Sequence, residues 1–118
     1  MQVKDTIAAF SQSEKIKAGL LWATQLIELY KGLPQSNKQG SEIIIKTIIG
    51  MIGHEIHLAK ETAFGDLWLE AEKSVDMALV MANSNVLQES GYHLTQALSR
   101  VTSVGQRSLT ELIDQGLM

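Results

Sequence analysis

The sequence predicts an all-α protein: an up-down-up-down, antiparallel four-helix bundle with a short N-terminal helix or arm, forming a single helical domain over residues 1–118. Three observations lead there. Aromatic residues make up only 5% of the 118 residues and Pro34 is the single proline, which is sparse for a β-protein of this length. Apolar residues recur at helical spacing in four segments. Cap and stop signals divide those segments from one another. A hydrophobic fraction of 45% is ordinary for a chain that closes its own core.

Ser11-Gln12-Ser13-Glu14 has the form of a capping box, with a hydroxyl to accept a backbone N–H and a carboxylate to reach back. The first long helix is therefore expected to start there and to end at Lys31-Gly32-Leu33-Pro34. Gly32 suits a left-handed C-terminal position, and Pro34 blocks continuation. On a wheel of about 100° per residue, Ile16, Gly19, Leu20, Ala23, Leu26, Ile27 and Tyr30 share its inner face. Val3, Ile7 and Phe10 fall on the other side of that wheel. Residues 2–10 are accordingly expected to form a separate arm, over one end of the bundle or on a neighbouring chain.

Gln35 to Gly40 is the most loop-like stretch, and Ser41-Glu42 is expected to open a second helix running to about Phe64. Gly65-Asp66 marks a stop and restart, with Asp66 as N-cap of a third helix that ends near Asn83. Its stripe is Trp68, Ala71, Val75, Ala78, Leu79 and Ala82. Ser84 is the expected cap of a fourth helix, which carries Gly91 and Gly105 inside it and closes at Gly116. Leu87, Leu94, Leu98, Val101, Gly105, Leu109 and Leu112 line its inner side. The links from second to third and third to fourth helix are very short, and short links make antiparallel neighbours. An orthogonal helical array is the competing fold, because Gly65-Asp66 can also turn a sharp corner.

The second helix is the informative element. Ile45, Ile48, Ile49, Ile52, Ile56, Ala59 and Ala63 form one stripe, and Ile43, Ile44, Thr47, Met51 and Leu58 form another on the opposite side. One core needs one stripe, so two imply two partners. Gly50 and Gly53 lie between the faces, where a second helix could approach. Ile43, Ile44, Thr47, Gly50, Met51 and Leu58 are the candidate interface, covered either by residues 2–10 or by another copy of the chain. A symmetric homo-oligomer, a dimer first, is the expectation.

The densest polar cluster is His54-Glu55-Ile56-His57 with Glu61 beyond it. His54, His57 and Glu61 project from one side of a helix, where two imidazoles and a carboxylate can hold a divalent ion. They lack the His-Glu-x-x-His spacing of a zinc protease, and a solvated polar face explains them as well. No Glu precedes a His by three residues, as a di-iron carboxylate bundle requires. Glu89 and His93 could join the cluster only if the second and fourth helices brought those edges together. Glu70, Glu72, Lys73 and Asp76 are expected on an exposed charged face.

No nucleophile elbow or phosphate-binding glycine loop occurs. Cysteine is absent, which removes thiolate chemistry and disulfides and fits a reducing cytoplasm. The net charge of -3 is mixed in sign, and Lys15, Lys17, Arg100 and Arg107 are too scattered for a strong nucleic-acid footprint. The N-terminus lacks a signal-peptide pattern, and Ile43–Leu58 is too short and too polar to span a bilayer. Trp68 is expected in the core; Trp22 suits an interface as well as a core. The expected function is thus a non-enzymatic, self-associating interaction or scaffold module that needs no cofactor, with a possible further protein partner. A metal- or small-ligand-binding bundle is the alternative.

Overall fold

A computed structural model describes residues 2–117. Those residues form four helices and no strand: α1 (Val3–Lys31), α2 (Gln35–Ala59), α3 (Gly65–Asn83) and α4 (Leu87–Asp114). Each helix packs on its neighbours in sequence, and α4 closes back on α1. The assembly is elongated, 55 × 21 × 17 Å. Among the described residues no helix is long and apolar enough to cross a membrane.

One spacing rule builds the core. In α1 the buried residues are Thr6, Ala9, Ser13, Ile16, Leu20, Ala23 and Ile27, alternating steps of three and four. The buried positions of α2 (Ile45, Ile49, Ile52, Ile56, Ala59) and of α3 (Trp68, Ala71, Val75, Ala78, Ala82) follow the same alternation. So do Leu87, Ser90, Leu94, Ala97, Val101, Val104 and Ser108 of α4. A 3–4 alternation averages 3.5 residues per turn, the seam that lets long helices stay in contact by a shallow left-handed supercoil. Trp68 is fully buried at the head of α3. Its Nε1, like Ser108 Oγ, has no hydrogen-bond partner among the described residues.

This stripe corrects the expected break near Ser11. Residues 3–10 are the first turns of α1 and not a separate arm. The in-phase residues are the small Thr6, Ala9 and Ser13, while the larger Val3 and Ile7 are exposed. Hydroxyls fit this interior because the helix satisfies them: Thr6 Oγ1 donates to the Gln2 carbonyl (3.2 Å) and Ser13 Oγ to the Phe10 carbonyl (2.7 Å). Opposite them stands Gly105, where an added Cβ would lie 3.0 Å from Ser13 Oγ. Small side chains on both helices thus let the first turns of α1 run close to the last turns of α4.

Other boundaries shift for local reasons. Gly32 is right-handed (φ -90°), not left-handed. Pro34 precedes α2 directly, which starts at Gln35 and so absorbs the expected loop. A proline just ahead of a helix loses no intrahelical bond. The Gln35–Gly40 turn and a half is anchored from α1, where Tyr30 donates to Glu42 Oε1 at 2.6 Å and Lys38 Nζ sits 5.2 Å from the Tyr30 ring centre. α2 ends at Ala59 rather than near Phe64, and Phe64 itself is left-handed (φ 65°) ahead of α3. An aromatic residue there is strained, but its ring packs against the core cluster. Asp66 lies in the first turn of α3 and does not cap it. Ser84 caps the end of α3 instead of starting α4, because left-handed Asn85 (φ 65°) makes the turn and α4 begins at Leu87. Gly116 (φ 75°) closes the chain's last helix as expected.

Two glycines inside α4 should respond differently to alanine. Gly91→Ala meets nothing within 4 Å and should stabilise the fold by about 1 kcal/mol through helix propensity. Gly105→Ala meets Ser13 Oγ at 3.0 Å, and this crowding offsets the same propensity gain, so the variant should be less stable than Gly91→Ala. Urea unfolding of both variants measures the difference.

Candidate interaction face between α1 and α2

Burying one 3–4 stripe per helix leaves the opposite sides of α1 and α2 unused, and those sides are also apolar. On α1 they carry Lys15, Ala18, Trp22, Leu26 and Leu29; on α2, Ile44, Thr47, Met51, His54 and Leu58. Each set is spaced by threes and fours, so each is a second continuous seam. α1 and α2 are the least closely packed neighbouring pair. Between them opens a groove of about 920 Å³, walled by Ala18, Gly19, Trp22 and Leu26 on one side and Thr47, Ile48, Gly50 and Met51 on the other. Trp22 is 66% exposed and Met51 62%. Ile43, Ile44, Leu58 and Leu29 extend the apolar surface past the groove, all of them exposed.

Polar contacts stitch α1 to α2 beside this face. At one end Lys15 Nζ pairs with Glu55 Oε1 at 2.8 Å, and Gln12 Nε2 reaches Glu55 Oε2 at 3.4 Å. The hydrogen bond from Lys15, then that from Gln12, holds the Glu55 carboxyl below its ordinary range. At the other end the Tyr30–Glu42 hydrogen bond pushes the Tyr30 phenol above its ordinary range, since that bond requires the proton to stay on the phenol. Beside the groove, Lys15 and Glu55 thus match each other's charge.

The candidate metal ligands diverge. His54 lines the groove, whereas His57 turns toward α3 and places Nδ1 2.9 Å from Glu72 Oε2. Glu72 also accepts from Lys60 Nζ at 2.8 Å. Glu61 is exposed after the end of α2, with its backbone N–H bonded to the Leu58 carbonyl. Among the described residues no group of three His, Cys, Asp or Glu side chains is arranged to hold a metal ion. The hydrogen bond from Lys60, opposed by partial burial and aided by His57, holds Glu72 below its ordinary range. Glu72 is thus a tie between α2 and α3 rather than part of a free charged face. Two of the scattered basic residues are likewise engaged: Lys17 with Glu14 at 3.4 Å and Arg100 Nε with Glu70 at 3.2 Å.

The six interface candidates of α2 lie together, five of them exposed side chains and Gly50 an exposed backbone position. The α1 half of the face, Leu26 and Leu29 beside Trp22, was not grouped with them. Its signal was present in the sequence as the 3–4 spacing from Lys15 to Leu29, hidden because Leu26 also borders the core stripe. Compared with protein-family models, with curated proteins and with solved structures, the chain finds no match in any of the three.

The Glu72 tie should show in the pH dependence of stability. Its folded-state carboxyl is held below the ordinary glutamate range, so its contribution is present above that range and is lost as pH falls through the folded value. Glu72→Gln should be less stable than the native chain near neutrality, and the gap should close in strong acid. Urea midpoints at both conditions measure this; a gap that persists in acid contradicts it.

Proposed function

We propose that the chain is a non-enzymatic interaction or scaffold module that self-associates, as a dimer first, through the outer face of α1 and α2. The observation that carries this reading is the second apolar seam, with Trp22 and Met51 both more than half exposed. Fully covering a side chain of this kind is worth roughly 1.5–3 kcal/mol, and a contiguous patch of them marks an interaction site. Residues 3–10, the one segment of the described chain expected to reach over this face, are spent as the first turns of α1.

A second copy is the occupant that fits best. The face offers no unmatched charge to select a strongly acidic or basic partner, because Lys15 and Glu55 already satisfy each other at 2.8 Å. What it offers is a long apolar helix pair, and another copy presents the same. A two-fold pair of such faces makes a closed assembly. The same reading takes the helices as running up-down-up-down. In its favour, Tyr30 meets Glu42, Gly19 meets Ile52 and Lys15 meets Glu55, so the α2 partner rises in number as the α1 residue falls. Ser90 with Ala78 and Arg100 with Glu70 run the same way between α3 and α4.

Sedimentation equilibrium tests the proposal. The native chain should show a concentration-dependent dimer, and Met51→Lys should weaken it by at least about tenfold. The same substitution lies on an exposed position and should change the monomer's urea stability by no more than about 0.5 kcal/mol. A native chain that stays monomeric at high concentration would falsify the proposal.

A further inference from the structure

We draw no further inference here: the strongest candidate, the apolar groove between α1 and α2 lined by Trp22, Gly50 and Met51, belongs to the face already described, and nothing in the structure shows how a partner seats on it.

Discussion

Everything in this molecule depends on burying four stripes of 3–4-spaced residues against one another. The alternation keeps each helix in contact with its neighbours over 19–29 residues and sets which side of every helix faces inward. It also fixes what is left over. On α3 and α4 the outer sides are interrupted by Glu70, Lys73 and Asp76, and by Gln96, Arg100 and Arg107. On α1 and α2 they are a second apolar seam, and the proposed function is a consequence of that remainder.

Residue size then distributes the helices unevenly. Thr6, Ala9, Ser13, Gly105 and Ser108 are small enough for α1 and α4 to approach closely. Between α1 and α2 the helices pack less closely, and the groove opens over Leu26, Ile48 and Ile52. The polar ties at Glu55 and Glu42 lie toward the two ends of this contact and leave its middle apolar. A surface of this kind, apolar in the centre and polar at its edge, resembles the core and rim of a protein interface.

Much of this was legible in the residues. The four helices, the buried Trp68, the two-faced second helix and the Gly116 stop all follow from periodicity and punctuation. The rest was hidden by chemistry that mimics a boundary or by contacts that only the tertiary packing makes. Ser11 and Ser13 resemble a cap, yet inside a continuous helix Ser13 returns its hydroxyl to the Phe10 carbonyl. Weighting large apolar residues made Val3 and Ile7 look out of phase, when the seam runs through Thr6 and Ala9. The polar Gln35–Gly40 stretch reads as a loop because its anchor, Tyr30 with Lys38 and Glu42, is a tertiary contact. A left-handed Phe64 carries no sequence signal at all, since only its packing sustains it. His57 and Glu72 are fifteen residues apart, and only the α2–α3 packing brings them together.

The central claim is that the outer α1/α2 face is covered when the chain is concentrated. Hydroxyl-radical footprinting, read by mass spectrometry across a dilution series, tests it on the unmodified chain. Trp22 and Met51 should be protected at high concentration and become reactive together on dilution. Met77, exposed on α3 and away from the face, should react alike throughout. Equal reactivity of Trp22 and Met51 at every concentration would contradict the account.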